Sequence, residues 1–235
     1  MRLRPADLTL YLIIGPGDTR GRPMKDVILA AILGGVTAVQ LRWKDHNARD
    51  FVEEARALVQ VLRPLGIPMI VNDRVDIAVA ADADGVHVGQ DDLPIADVRR
   101  IVPDRMLVGL SITSEHDAER LDPALVDYAG VGPVFGTPSK ADATQPMGLS
   151  GTRRVVERLT VPSVAIGGIT RDNAGDVMAT GVVGISVISA ICGADNPERA
   201  AAELSASVRG RGRRQGAAGR DWPGARGAPG VGGSG

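Results

Sequence analysis

Short aliphatic runs alternate along the chain with segments in which apolar residues recur every three or four positions, a pattern that predicts strands separated by helices. The runs are LTLYLII (8–14), VTAVQLR (36–42), PMIVN (68–72), GVHVG (85–89), MLVGLS (106–111), YAGVGPVF (128–135), PSVAIGG (162–168) and VVGISVIS (182–189). Helical segments follow at 23–33, 48–63, 76–81, 95–101, 115–121, 151–159, 171–180 and 197–208. Phe51, Ala55, Leu58 and Leu62 show the helical spacing most plainly. Eight such units in roughly 200 residues predict an α/β fold, a single closed (β/α)8 TIM barrel near the small end of its size range. A doubly wound open sheet shares the alternation but usually has fewer strands and a glycine fingerprint after the first, whereas GPGDTR follows strand one here.

Composition narrows the picture. Of 235 residues, 44% are hydrophobic and only two each are Phe, Tyr and Trp, so the interior must be aliphatic and a base-stacking surface for nucleic acid is not expected. A single cysteine, Cys192, excludes an intramolecular disulfide and a Cys-based zinc cluster, reads as a small buried hydrophobe, and points to a reducing, cytoplasmic setting. The opening MRLRPADLTL lacks the apolar stretch of a signal peptide, and no run approaches the roughly 18 apolar residues of a membrane span. Residues 208–235 hold ten Gly, six Arg and one Asp, so a net charge of +5 sits on a segment with little to bury. Residues 1–207 are therefore expected to form the barrel and 208–235 a disordered tail.

A parallel barrel collects its chemistry where the carboxyl ends of the strands meet. Alternation beyond strand two would place Gln40, Arg42 and Lys44 on one side, two cations and an amide suited to a phosphorylated ligand; the competing reading pairs them with Asp45 or Asp50. Asn72-Asp73 ends strand three and Gln90-Asp91-Asp92 follows strand four. Two carboxylates with no cysteine beside them suit Mg2+, assigned to Asp73 and Asp92, with Asp91 left as a cap for the next helix. His87 reads as a packed strand histidine, and His46 and His116 as exposed, so zinc finds little support.

The segment after strand six, GPVFGTPSKAD, is longer than most strand-to-helix connections and offers Thr137, Ser139 and Lys140. The chain has three lysines against 24 arginines, yet Lys44 and Lys140 both stand beyond strand ends. Gly167-Gly168 ends strand seven and Ile188-Ser189 ends strand eight, the region where barrels of this kind often bind phosphate through backbone N–H groups.

In this order and spacing, GGVTAVQLRWK, VND, DGVHVGQDD, VGLS, YAGVGPVFGTPSK, AIGGIT and VISAI resemble the thiamine-phosphate synthase family over residues 8–207. The resemblance implies a Mg2+-dependent transferase of thiamine biosynthesis that joins 4-amino-2-methyl-5-pyrimidinylmethyl diphosphate to a thiazole phosphate and releases pyrophosphate. It further implies that Gln40, Arg42, Lys44 and Asn72 contact the pyrimidine diphosphate and that Asp73 and Asp92 hold the metal. Ser111, Thr137, Ser139 and Lys140 match further pyrophosphate and substrate contacts; Gly167, Ile188 and Ser189 match the thiazole-phosphate site, with Gly168 adjoining. Arg42, Lys44 and Lys140 are the expected catalytic cations. The small-molecule substrates are the expected partners, and barrels of this kind commonly form homo-oligomers.

Two competitors are a thiazole tautomerase-like relative and a non-catalytic phosphate-binding barrel. Thr113 stands where many relatives carry a His in a Ser-x-His segment, which argues against proton transfer of the tautomerase kind. Ser139 replaces a common Thr and keeps its hydroxyl.

Overall fold

The computed structural model describes residues 5–44, 47–136 and 145–212. Eight parallel strands close in sequence order into a barrel: β1 (Leu10–Ile14), β2 (Ala38–Leu41), β3 (Met69–Asn72), β4 (Gly85–Val88), β5 (Leu107–Ile112), β6 (Tyr128–Val131), β7 (Ser163–Ile166) and β8 (Gly184–Val187). The last strand returns to the first, with Tyr11 opposite Ser186. The helices are α1 (Met24–Leu33), α2 (Ala48–Leu62), α3 (Val75–Ala80), α4 (Ile95–Ile101), α5 (Glu115–Arg120), α6 (Gly148–Arg158), α7 (Ala174–Met178), α8 (Ser189–Cys192) and α9 (Pro197–Gly212).

Strand alternation divides the apolar side chains into two cores. Leu10, Leu12, Ile14, Val39 and Leu41 point outward and join Phe51, Ala55, Leu58 and Leu62 of α2 in the shell between barrel and helices. Tyr11, Ala38, Ile70, Tyr128 and Val164 point inward and form a second, smaller cluster with Leu8. The inner positions share a narrow cylinder, so large residues need small neighbours. Gly109 meets this need: a Cβ there would overlap His87 and Tyr128.

The eight predicted strands all form, with ends trimmed where pairing stops. The run 128–135 is strand only to Val131, because Pro133 has no N–H for the ladder and the chain then crosses to β7, with Val134 N–H donating to the Ile166 carbonyl at 2.9 Å. Asn47 and Ser114 cap α2 and α5 by accepting from Asp50 N–H at 3.0 Å and Asp117 N–H at 3.1 Å. The short α8 was not foreseen, since its residues continue the apolar run of β8.

The last helix passes the expected start of the tail at 208 and runs to Gly212. Within it, Val208 is 3% exposed and continues the buried stripe of Ala201, Leu204 and Ser205. Cys192 is buried as expected. No helix among the described residues is long and apolar enough to cross a membrane.

The inner glycine yields the first test. Gly109→Ala should destabilise the barrel by about 1–3 kcal/mol through overpacking, or roughly 2–4 °C of melting temperature per kcal/mol in a chain of this size. Thermal unfolding checks it, and a wild-type midpoint would show that the inner layer yields freely.

Candidate active site

Because all eight strands are parallel, their carboxyl ends form one rim, and the candidate residues of β2, β3, β4, β5, β7 and β8 gather there. β2 stops at Leu41, so the alternation expected through Lys44 does not continue as strand. Gln40 nevertheless faces the barrel interior, 2% exposed, while Arg42 and Lys44 both act electrostatically on Asp73. Of the two acids suggested as simple partners for these cations, Asp50 is taken up by the cap of α2, where Asn47 Nδ2 donates to it at 2.7 Å. Asp45 lies outside the described residues. Arg42 faces Asp18 instead, whose carboxyl accepts from Gly15 N–H at 2.8 Å.

Asp73 follows β3 in the left-handed backbone region at φ 61°, a conformation aspartate tolerates better than most side chains. Its N–H donates to the His87 carbonyl at 2.8 Å, which ties the end of β3 to β4. The Asp73 and Asp92 carboxyls lie close enough to act on each other. Burial first, and the neighbouring Asp92 charge second, push the Asp73 carboxyl up to about 6, against the opposing pull of Lys44 and Arg42.

Asp92 also accepts from Gly89 N–H at 2.6 Å, which folds the β4–α4 turn back on itself. The capping role left to Asp91 is not observed: Pro94 stands at the start of α4 and no side chain caps it. Proline at that point leaves one fewer N–H to satisfy.

The donor set suits a hard divalent cation. Two carboxylates meet at the rim, and hard oxygens are what Mg2+ takes. Among the described residues no group of three or more His, Cys, Asp or Glu is assembled for a metal. Two carboxylates alone leave room for waters and substrate oxygens, the usual arrangement around Mg2+.

Below the rim lies a small interior pocket lined by Tyr11, Gln40, His87, Ser111 and Ser186 with Ile13, Val164 and Ile166. Ser111 and Gln40 were expected here; Tyr11 and Ser186, and Tyr128 behind His87, were not. His87 is the packed histidine anticipated, 8% exposed, with Nδ1 3.1 Å from the Tyr128 hydroxyl and Nε2 3.0 Å from Ser111 Oγ. The Ser186 hydroxyl is buried and has no hydrogen-bond partner among the described residues. The signal for these residues was a polar tip at every second position of otherwise aliphatic strands.

Asn72 ends β3 opposite His87. Gly167 and Gly168 adopt φ 105° and 62°, and a Cβ on either would strike Pro133 or Phe135. Their first physical duty is thus to seat the chain leaving β6 on the end of β7. Ile188 is buried and Ser189 exposed at the start of α8. Thr137, Ser139 and Lys140 lie outside the described residues.

Thr113 is committed elsewhere: its N–H and hydroxyl both donate to Asp117, at 2.9 and 2.8 Å, within the first turn of α5. His116 is exposed, and His46 is outside the described residues.

Known proteins resemble the chain along most of its length. The family model described as thiamine monophosphate synthase matches residues 10–191. A thiamine-phosphate synthase of Albidiferax ferrireducens is 47% identical over 84% of this chain and 90% of its own length. One of Chloroflexus aurantiacus is 48% identical over 86% and 93%. Among solved structures, a thiamine phosphate pyrophosphorylase from Pyrococcus furiosus superimposes with a TM-score of 0.80 at 38% identity, covering 88% of this chain and 98% of that one. A 3-hexulose-6-phosphate synthase at 17% identity and TM-score 0.61 shares the fold alone.

The carboxylate pair makes a prediction in metal-free protein. Asp73 binds its proton more tightly folded than unfolded, so stability should fall as pH rises from 3.8 to about 6 and stay lower above that. Asp73→Asn should remove this fall and raise the melting temperature at pH 8 by about 2–4 °C, equivalent to about 1 kcal/mol. A variant that melts with the wild type at every pH would show that the two carboxyls do not repel.

Proposed function

The chain belongs to the thiamine monophosphate synthase family, and from that premise we propose that its rim joins 4-amino-2-methyl-5-pyrimidinylmethyl diphosphate to a thiazole phosphate, giving thiamine phosphate and pyrophosphate. The observation that carries this reading is the meeting of Arg42, Lys44, Asp73 and Asp92 at one place above the pocket of Gln40 and Ser111. A pair of cations beside a pair of carboxylates suits a diphosphate held with a divalent ion.

In the reaction the carbon–oxygen bond to the diphosphate breaks and its electron pair leaves with the oxygen. The thiazole nitrogen supplies the pair for the new carbon–nitrogen bond, so no proton need be moved. Charge separation is the barrier, and fixed positive groups near the departing oxygens lower it. Arg42 and Lys44 supply such charge from the end of β2, and Lys140 is assigned the same role from the segment after β6. Mg2+ held by Asp73 and Asp92 would add neutralising charge.

Gln40, Asn72 and Ser111 orient the pyrimidine diphosphate. Thr137 and Ser139 add hydroxyl contacts, and Gly167, Gly168, Ile188 and Ser189 receive the thiazole phosphate. No nucleophile on the enzyme is required, and the buried Cys192, its thiol pushed up to about 12 by burial, is unsuited to be one. Commitment of Thr113 to Asp117 speaks against the tautomerase reading. A cytoplasmic setting with small-molecule partners belongs to the same proposal.

Purified protein with both substrates and Mg2+ should form thiamine phosphate, followed by chromatography; no product under conditions where a known synthase works would overturn the reading. Arg42→Ala should slow turnover by at least about tenfold while shifting stability by under about 0.5 kcal/mol, as partly exposed charges add little to folding. Equal losses of activity and melting temperature would contradict it. Added Mg2+ should raise the melting temperature more at pH 8 than at pH 5, where Asp73 is protonated; an equal rise at both would place the ion elsewhere.

A further inference from the structure

Five polar side chains run in one hydrogen-bonded file through the barrel interior, and their donor inventory orders the protons. Gln40 Nε2 donates to the Tyr11 hydroxyl at 3.0 Å. Tyr11 is fully enclosed, and its other partner is the Tyr128 hydroxyl at 2.9 Å. An amide nitrogen has no lone pair to offer, so the Tyr11 proton goes to Tyr128. The proton of Tyr128, itself completely buried, then goes to His87 Nδ1 at 3.1 Å. A neutral His87 thereby carries its proton on Nε2, which donates to Ser111 Oγ at 3.0 Å.

The Ser111 hydroxyl proton is left to face the pocket, while Gln90 Nε2 holds the Ser111 carbonyl at 2.6 Å. With the Gln40 amide N–H turned toward Tyr11, reversing the file strands the Tyr11 proton against an N–H, and a doubly protonated His87 strands that of Tyr128.

We propose that Tyr128 is a positioning residue: through His87 it fixes Ser111 as a hydrogen-bond donor toward the diphosphate rather than as a lone pair that would repel it. What Ser111 donates to rests on the synthase reading; the proton order rests on the fold alone. The residue connects β6 to a hydroxyl on β5 by way of β4, so that a group remote from the reacting atoms sets the polarity of one beside them.

Nitrogen-15 spectra of the ligand-free protein at neutral pH, with His87 assigned through His46→Gln and His116→Gln, test the order directly. A single Nε2-protonated tautomer is expected; a proton on Nδ1 or a mixture of tautomers overturns the proposal, and the wild type alone suffices for this. Tyr128→Phe keeps the ring and should release the tautomer into a mixture. It should lower kcat about tenfold with KM for the pyrimidine diphosphate changed less than about twofold, the pattern of a donor that acts as charge develops. In a Ser111→Ala background the same change should cost nothing further. Equal losses in both backgrounds would overturn the role assigned to Tyr128. A wild type with the Nε2 proton but no thiamine phosphate formed would overturn the synthase reading and uphold the proton order.

Discussion

Closure of eight parallel strands around a narrow axis is the constraint on which the rest of this molecule depends. Closure turns a period of two into an inside and an outside, and it gives the inside very little room. Tyr11, Gln40, His87 and Tyr128 fit there because Gly109 and Gly130 leave space beside them. Polar groups sealed in such a space bond to one another from Gln40 to Ser111, while the buried Ser186 hydroxyl finds no partner among the described residues. Packing and hydrogen bonding thus have one cause.

The same closure brings like charges together at the rim. Asp73 and Asp92 follow neighbouring strands, so their carboxyls meet, and burial makes the meeting costly. Arg42 and Lys44, from the strand on the other side of β3, offset part of that cost. The local frustration is what one expects of a site shaped for a bound cation and an anionic substrate, with the rest of the barrel holding it in place. At the opposite end the charges do ordinary work: Arg99 pairs with Asp127 at 2.6 Å and Arg63 with Asp82 at 3.0 Å, fastening the loops that enter the strands.

Glycines at the strand ends show how a correct position can have a different immediate cause. Gly167 and Gly168 are at the rim where a phosphate site was expected, yet the atoms nearest to an added Cβ belong to Pro133, Phe135 and Gly136. Their positive φ angles serve the crossing of the chain from β6 to β7. Whatever the segment beyond Gly136 contributes to the site is therefore delivered from a backbone that these two residues hold.

Hydrophobic periodicity by itself determined the eight strands, the covering helices and the rim, because alternation and helical spacing are local and survive in the one-dimensional string. It also marked Gln40, Arg42, Lys44, Asp73, Asp92 and Ser111, since a polar residue ending an apolar strand stands out without knowledge of its partners. Tertiary structure alone decided which of these touch and which inner residues join them. The Tyr11 and Tyr128 hydroxyls meet across 117 residues of sequence, and nothing local to either predicts the other. The contact between the Asp73 and Asp92 carboxyls was likewise settled by what lay opposite in space. A hydrogen bond or a repulsion depends on the distance between two groups, and only the closed barrel sets that distance.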